Sequence, residues 1–398
     1  MTAAIAAAGQ GAAVTLLEGN DRLGKKLLST GNGKCNLGNE KMDAGEYYTD
    51  SPELLQHWLD RFGTKETKAF FRKIGLLVKS RNGYLYPMSE QAASVLDVLR
   101  YEIRRQGVQV LTDCKVREVE VRAGKRKKGA FCVRGDGGEY CFDRVILACG
   151  GRAAPRTGSD GSGYKIAERL GHGMRNVVPA LVQLRCREDY FKSVAGVRIQ
   201  ARLRVLHQGS CAAQEEGELQ LTEYGISGIP VFQSSRVVNY ILQEQREAEI
   251  EIDLFPYDSE DTWEQLFAGR DRLRRGCTTE EYFTGMLHKK LMLLMIRMAG
   301  LKVFQDAAEI NEDRFRQVYR LCRHWKVHVT GSNSFDNAQV CAGGVPLNEV
   351  TENLESRKVP GLYFAGEILD VDGKCGGYNL QWAWCSGQIA GIAAAGKQ

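Results

Sequence analysis

Apolar residues form short runs near both ends of the chain, and glycines follow most of these runs. An alanine-rich segment at residues 1–9 has the composition of a buried helix, and residues 13–17 predict a buried strand that ends at Glu18. Residues 144–149 and 362–365 are further apolar runs that lead into glycines. Short continuous apolar runs beside helical segments are typical of parallel strands. We therefore predict an α/β protein whose parallel sheet is built from both ends of the chain.

The middle of the chain has two different patterns. Residues 116–142 alternate apolar and polar positions between turns, which predicts a small antiparallel meander. From about residue 173 short strands predominate, and helical periodicity then predominates over residues 262–323. Strands at 325–330 and 338–341 are expected to return to the first domain. The predicted parts are the sheet domain (1–172), a β-rich insertion (173–256), a helical cap (257–324) and the second part of the sheet domain (325–398).

Composition changes this picture little. Of the 398 residues, 43% are hydrophobic and 26% are charged, which is ordinary for a soluble globular protein. The net charge of +5 is small, and the basic run at residues 125–128 lacks interleaved aromatic residues, so we expect no nucleic-acid partner. The twelve cysteines show no Cys-x-x-Cys or zinc-like spacing. With no signal peptide and no membrane-spanning run, we predict a cytoplasmic protein with reduced thiols and no metal.

The chain is organised around residues 361–391. The strand at 362–365 stops at Gly366, and Gly376 and Gly377 then allow close backbone approach to a flat ligand because they lack a Cβ. The helix from Tyr378 presents free N–H groups and a positive dipole end at the same place, which suits an anionic or electron-rich ligand. The intervening loop carries three carboxylates, on Glu367, Asp370 and Asp372. An ordinary strand–loop–helix unit with turn glycines is the alternative.

A second glycine-rich loop occupies residues 30–36. Gly31 and Gly33 alternate with polar residues that include Thr30, Cys35 and Asn36, so the loop is rich in hydrogen-bond donors and can approach a phosphate or a ring. Alone, this loop is also compatible with a surface turn.

Both segments resemble the BaiN and aminoacetone-oxidase family of FAD-dependent flavoproteins, in the superfamily with two dinucleotide-binding domains. Residues 30–39 are similar to that family's TGGGRCNLTN loop, from which Asn32 and Lys34 depart. Residues 342–345 resemble its TAGGV turn, and residues 221–230 resemble FTHxGLSGP with Glu223 where histidine is common. The motifs follow the family's order along nearly the whole chain. The resemblance implies an FAD-binding Rossmann-like domain with an inserted β-rich domain and a helical cap.

The resemblance also implies how FAD is bound. It places Glu18 at the adenosine ribose, the backbone of Val116 at adenine, Lys26 at a phosphate and Glu367 at the ribitol or pyrophosphate. The residues expected to bind FAD are Glu18, Lys26, Thr30, Gly31, Gly33, Cys35, Asn36, Val116, Gly150, Gly366, Glu367, Asp370, Gly376, Gly377, Tyr378, Asn379 and Leu380. This interpretation requires the loop at 30–36 and the turn at 376–380 to share one cavity.

The start of the sequence lacks one expected feature. In a dinucleotide-binding unit, a strand and a Gly-x-Gly-x-x-Gly turn precede the first helix, and neither precedes Met1. Methionine often follows the last fingerprint glycine in the resembling family, so we expect Met1 to be an internal position of a longer chain. A chain that began here would have a gap in the middle of its sheet and low affinity for FAD.

We expect an FAD-dependent oxidoreductase. NAD(P)H would be a transient electron donor, because no second nucleotide fingerprint is present, and the absence of a Cys-x-x-Cys pair argues against disulfide reduction. Of the chemistries that the resemblance implies, we favour reduction of C=C bonds conjugated to a ketone in bile-acid-like steroids over oxidation of small amines. A non-catalytic relative that has lost flavin is a third reading. Tyr224 and Glu223 are candidates for contact with this small-molecule substrate, with a structural turn as the alternative.

Overall fold

The computed structural model describes residues 1–122, 130–270 and 275–396, so the basic run at 125–128 lies outside the described residues. The helices are α1 (Thr2–Gly9), α2 (Lys25–Ser29), α3 (Pro52–Arg61), α4 (Thr64–Lys73), α5 (Ala92–Arg105), α6 (Ser162–Arg169), α7 (Phe191–Val194), α8 (Ile229–Glu244), α9 (Glu260–Arg270), α10 (Thr279–Phe283), α11 (Lys289–Met298), α12 (Glu312–Arg323) and α13 (Tyr378–Ala395). The strands are β1 (Thr15–Leu17), β2 (Gly38–Asn39), β3 (Tyr47–Tyr48), β4 (Val78–Arg81), β5 (Tyr84–Pro87), β6 (Gln109–Leu111), β7 (Val116–Val121), β8 (Phe131–Gly135), β9 (Gly138–Phe142), β10 (Val145–Leu147), β11 (Arg175–Ala180), β12 (Leu184–Cys186), β13 (Arg198–His207), β14 (Ser210–Thr222), β15 (Gly225–Gly228), β16 (Ala248–Asp253), β17 (Trp325–Ser332), β18 (Val340–Gly344), β19 (Leu362–Phe364) and β20 (Asp372–Gly373).

The chain forms two compact units. Unit 1 contains Met1–Pro179 and Ala338–Gln398, and unit 2 contains Ala180–Asn337. None of the described helices combines the length and apolarity that a bilayer crossing needs.

Two pairs of parallel strands are described in unit 1. Strand β1 pairs with β6, and β10 pairs with β19, which brings an early segment of the chain beside a late one as the sequence predicts. Within the described residues these pairs belong to separate sheets. The predicted meander is present as the antiparallel sheet β7–β8–β9.

Two largely buried helices pack against each other in unit 1. In α13 the buried positions run from Tyr378 to Gly391 around the whole helix, so it packs against neighbours on every face. Helix α1 packs on it through small residues. The approach is closest at Gly391, where an added Cβ would lie 2.4 Å from the Ala3 carbonyl oxygen and 2.7 Å from the Ala6 Cβ. A glycine at this position is therefore what lets the two helix backbones come together.

Unit 2 is built on a closed six-stranded barrel with the strand order β12–β15–β14–β13–β16–β17. Its core contains aromatic and aliphatic side chains of the barrel strands together with those of α8, α11 and α12. One boundary of the predicted division is wrong. We expected the strand at 325–330 to return to the flavin domain, but β17 pairs with both β16 and β12 and closes the barrel. The barrel can close only with this strand, so residues 325–337 belong to unit 2.

The contact between α1 and α13 predicts opposite effects for two glycine-to-alanine changes. We expect Gly391→Ala to lower the free energy of unfolding by about 1–3 kcal/mol, because the new methyl group meets helix backbone that cannot move freely. Gly9→Ala serves as the matched control. Gly9 is helical and exposed with no atom near its Cβ position, so alanine should stabilise by about 0.5–1 kcal/mol. Urea unfolding followed by circular dichroism measures both; equal effects would contradict this packing.

Candidate flavin site

The loop at residues 30–36 and the start of α13 are in contact in unit 1. An added Cβ at Gly377 would lie 2.7 Å from Asn36 Oδ1 and 2.6 Å from the Gly38 carbonyl oxygen. The Asn39 amide donates to the Gly376 carbonyl oxygen at 3.2 Å, and the Trp384 indole N–H donates to the Leu37 carbonyl oxygen at 2.9 Å. The structure thus brings together the two glycine-bearing segments on which the sequence interpretation depends.

Backbone conformation explains the composition of the first loop. Gly31, Asn32, Gly33 and Cys35 all have φ between 52° and 82°, a left-handed region that glycine and asparagine adopt most readily. The Cys35 side chain is fully buried, and burial raises the pKa of its thiol to about 12. A thiol in this state stays protonated at neutral pH, so Cys35 supports the loop and is not a nucleophile.

An ion pair lies at the carboxyl end of β19. Lys26 Nζ is 2.9 Å from Glu367 Oε2 and also donates to the Ala153 carbonyl oxygen at 3.1 Å. Glu367 Oε1 accepts the backbone N–H of Cys341 at 2.7 Å. Both side chains are mostly shielded from water, with exposures of 29% and 17%. The sequence predicted both residues separately, and the structure pairs them, so each charge is balanced within the protein.

Open space borders this ion pair. Gly366 is buried with φ +78°, yet an added Cβ would meet no atom within 4 Å. Its N–H is held by Ser386 Oγ at 2.8 Å, and its carbonyl oxygen by the Trp382 indole at 3.2 Å. The backbone is therefore fixed while its side-chain direction is empty. A crevice at the carboxyl ends of parallel strands is where open α/β sheets bind their ligands.

A buried acceptor also fits a flavin. Asn36 Oδ1 is buried without a hydrogen-bond partner among the described residues. A buried polar atom without a partner is costly, and a ligand N–H donor would remove that cost. The isoalloxazine ring has such a donor at its pyrimidine edge. Together with the space at Gly366, this acceptor makes the residues present fit FAD.

The residues predicted for the adenosine end also lie together in unit 1. Glu18 Oε1 accepts the backbone N–H of Asn20 at 2.9 Å and its side-chain amide at 2.8 Å. The Cys114 N–H donates to the Glu18 carbonyl oxygen at 2.9 Å, two residues before Val116 begins β7. Asn20 also donates to the Thr157 carbonyl oxygen at 3.3 Å. The segment that follows β10 therefore adjoins this end as well; it includes Gly150, where φ is +76°.

Three of the predicted residues have structural partners that the sequence did not reveal. The carboxylate of Asp370 is 3% exposed and lies 3.2 Å from Arg175 Nε. Asn379 Oδ1 accepts the Gly373 N–H at 2.9 Å, and its amide donates to the Gly373 carbonyl oxygen at 2.8 Å. The Tyr378 carbonyl oxygen accepts the Tyr47 hydroxyl at 2.9 Å. These contacts fix the loop between β19 and α13. No local signal marks them, because Arg175 and Tyr47 are distant in sequence.

Two further predicted positions shape the site through packing and a turn. Leu380 packs against the cluster that contains Leu37 and Trp384. Thr30 Oγ1 donates to the Leu27 carbonyl oxygen at 2.6 Å and thereby ends α2.

Comparison with known proteins identifies the family of this chain. Residues 1–393 match the model of a family described as "HI0933-like protein Rossmann domain". This chain belongs to that family. The predictions of a Rossmann-like fold with a β-rich insert and of a flavin-dependent oxidoreductase are confirmed, and FAD is the cofactor that the family supports.

Individual relatives differ in what their names describe. The chain is 45% identical over 398 residues to 3-dehydro-bile acid delta(4,6)-reductase of Clostridium scindens, covering 99% of this chain and 96% of that protein. It is 28% identical over 387 residues to ribosomal RNA dihydrouridine synthase of Haemophilus influenzae, covering 96% and 92%. Among solved structures, 3-ketosteroid delta1-dehydrogenase from Sterolibacterium denitrificans is 11% identical with a TM-score of 0.49, over 99% of this chain and 97% of that chain.

The predicted substrate contacts lie in unit 2. Glu223 and Tyr224 form the turn between β14 and β15, and Glu223 is exposed. The Tyr224 hydroxyl accepts the Asn333 amide at 3.0 Å, and the Arg185 guanidinium lies 5.3 Å from the centre of its ring. These contacts account for Tyr224 as part of a structural turn of the HI0933-like fold, and a role toward substrate stays a prediction.

Unit 1 also contains a buried arrangement that resembles a hydrolytic triad. His172 Nδ1 is 2.7 Å from Glu349 Oε2, and His172 Nε2 is 2.8 Å from Ser356 Oγ. However, Ser356 Oγ also accepts the N–H groups of Lys358 at 3.0 Å and Val359 at 2.8 Å. Both lone pairs of the hydroxyl are thus occupied, and the His172 side chain is fully buried. The arrangement braces the loop before β19 and is not a nucleophilic site.

Asn379 predicts a test of the loop that precedes α13. We expect Asn379→Asp to lower both stability and the fraction of protein purified with FAD, because aspartate cannot donate to Gly373 and adds a charge beside its carbonyl oxygen. Loss of a half-buried hydrogen bond predicts about 1–3 kcal/mol in unfolding free energy. Asn353→Asp makes the same chemical change at an exposed position and should alter neither quantity. Equal flavin-to-protein absorbance ratios in the two variants would contradict this role.

His172 predicts a pH dependence of stability. Burial lowers the pKa of His172, so the folded state keeps it neutral while the unfolded state takes up a proton below about pH 6.5. Because the unfolded state then binds more protons, the free energy of unfolding should fall as the pH drops from 7.5 to 5.5. The change in unfolding free energy between pH 7.5 and pH 5.5 should be smaller in His172→Gln than in wild type. In His57→Gln, the control at an exposed site, this change should equal that of wild type. Urea unfolding at each pH measures it; an unchanged difference in His172→Gln would refute the assignment.

Proposed function

We propose that this protein uses FAD to reduce C=C bonds conjugated to a ketone in a bile-acid-like steroid, with NAD(P)H as the transient electron donor. The observation that carries the proposal is the 45% identity to 3-dehydro-bile acid delta(4,6)-reductase over 99% of this chain. A match that spans both units leaves no large segment of this chain outside the comparison.

A second relative supports the type of reaction. Dihydrouridine is uridine with two hydrogens added across a C=C bond that is conjugated to a carbonyl group, and the 28% identical protein is a dihydrouridine synthase. Both names therefore describe addition of hydrogen to a conjugated C=C bond. The higher identity favours a small steroid over RNA as the substrate of this chain.

The residues of unit 1 that would hold FAD follow from the site. Asn36 would receive a ring N–H, Gly366 would provide close backbone approach, and Glu18 would meet the adenosine ribose. Bound FAD would supply hydride transfer. Because Lys26 already balances the charge of Glu367, this carboxylate would not repel an anionic cofactor.

The cysteines support this chemistry indirectly. All twelve are free thiols, and burial raises the pKa of Cys35 and of Cys341, beside the Lys26–Glu367 pair, to about 12. Protonated thiols are poor redox partners, so we propose that electrons pass without a protein disulfide. Free thiols in this number also support a cytoplasmic location.

The proposal is tested with the purified yellow protein under anaerobic conditions. NADH or NADPH should bleach the flavin absorbance, and addition of 3-oxo-4-cholenoate should restore it with a product two mass units heavier. The saturated 3-oxo steroid acid should not restore it. Hydrogen peroxide released from aminoacetone under air, with no reoxidation by any enone, would support the amine-oxidase alternative and overturn this proposal. Protein without flavin would support the non-catalytic one.

A further inference from the structure

A β-hairpin beside the flavin site presents a cationic and aromatic face. In the antiparallel pair β4–β5, Lys79 is opposite Tyr86 and Arg81 is opposite Tyr84. Residues that are opposite one another share a face of the sheet, as do alternate residues along a strand. All four side chains therefore project from one face, while Leu85 on the other face is fully buried. One face of the hairpin thus packs on the core, and the charged face is accessible to a ligand.

A small cleft lies on this face. It measures about 90 Å³ and is lined by Lys34, Arg81, Asn82, Tyr84, Tyr86 and Glu90. Pockets that enclose drug-sized ligands have roughly 300–1,000 Å³, so this cleft has room for one ionic group and not for a steroid nucleus. Lys34 belongs to the glycine loop of the flavin site, so the cleft adjoins that loop directly.

The charges of the cleft favour an anion. Glu90 binds both lysines, with Oε2 3.0 Å from Lys34 Nζ and Oε1 2.6 Å from Lys79 Nζ. These hydrogen bonds lower the pKa of Glu90 to about 2, so it is ionised at neutral pH. Arg81 is exposed and forms no ion pair among the described residues. One carboxylate thus faces three cations, and it holds two of them in fixed positions while Arg81 remains available.

The cleft is adjacent to the ring end of the flavin site. Tyr84 is opposite Asn39, whose side chain donates to the Gly376 carbonyl oxygen. The Tyr84 ring approaches to 3.0 Å from the position of an added Cβ at Gly376. A ligand that reacts at the flavin would therefore have its charged group within reach of Arg81.

Next to the cleft, the same face becomes apolar. Leu77 and Met88 continue the register, since the Met88 N–H donates to the Leu77 carbonyl oxygen at 2.8 Å. They are 64% and 54% exposed, which is unusual for large apolar side chains. A cationic cleft beside an apolar pair suits an anion with an apolar body better than a polyanion such as RNA.

We propose that this cleft is an anion-binding subsite that holds the charged group of a reactant beside the flavin ring. The charged group is either the carboxylate of an acidic steroid substrate or a phosphate of the nicotinamide donor. Both are oxyanions that an arginine fork recognises. The proposal rests on the proposed function for its reactants, but the subsite itself rests on the hairpin geometry.

The experiment compares Arg81→Gln with Lys68→Gln, a matched control that removes a half-buried cation paired with Glu40 outside the cleft. We measure the KM for 3-oxo-4-cholenoate, for its methyl ester and for NADH. If the cleft holds the substrate carboxylate, Arg81→Gln should raise KM for the acid about ten-fold, the loss of one charge-assisted hydrogen bond, while leaving kcat and the KM of the ester unchanged. If it holds the donor phosphate, the KM for NADH should rise with either steroid.

Binding measurements keep failure of the subsite separate from failure of the proposed function. Calorimetric titration of the oxidised holoprotein with 3-oxo-4-cholenoate and with NADH needs no turnover, and weaker binding of either in Arg81→Gln supports the subsite even if no steroid is reduced. Affinities and KM values equal to those of Lys68→Gln would overturn it. One further result would overturn the proposal. In that result, wild type binds neither small anion but binds a uridine-containing RNA oligonucleotide, and Arg81→Gln loses this RNA binding.

Discussion

The close approach of Gly377 to Asn36 and Gly38 is the constraint on which the rest of unit 1 depends. Any side chain at residue 377 would displace a backbone carbonyl oxygen and a buried amide, so the glycine is fixed by sterics and not only by its φ of +92°. This contact joins segments roughly 340 residues apart in sequence. It also places the N-terminus of α13 beside Asn36, whose buried acceptor has no hydrogen-bond partner in the part of the chain that the structure describes.

Charge balance is the second requirement of this site. An anionic cofactor would be repelled by uncompensated carboxylates, and the loop after β19 carries several. Lys26 binds Glu367, and Arg175 binds both Asp370 and Asp50. The backbone N–H of Cys341 donates a further hydrogen bond to Glu367. Two carboxylates of this loop therefore lie against cations that hold them as fixed acceptors.

The sequence predicted what depends on local pattern. The contact between the two loops could be predicted from their glycines, from the strand that stops at Gly366 and from the order of the motifs. Pairing of Lys26 with Glu367 was not predictable, because neighbouring residues carry no trace of a partner 341 positions away. The boundary at residue 325 failed for a related reason. A buried strand has the same two-residue period in a barrel as in a parallel sheet, so β17 could be assigned to its unit only from its pairing partners.

The backbone constraint at Gly377 also separates the residues that would hold the cofactor from those that would contact the substrate. The residues proposed to hold FAD are constrained by backbone geometry, whereas the relatives are named for two different reactants, a bile acid and ribosomal RNA. We expect the reactant to be selected by surfaces outside the residues that would hold FAD. The face of β4–β5 is such a surface, because Leu85 and Pro87 anchor the hairpin in the core while Arg81 is exposed. The Arg81 side chain can change without disturbing the contact at Gly377, which makes this position a place where specificity can evolve independently of flavin binding.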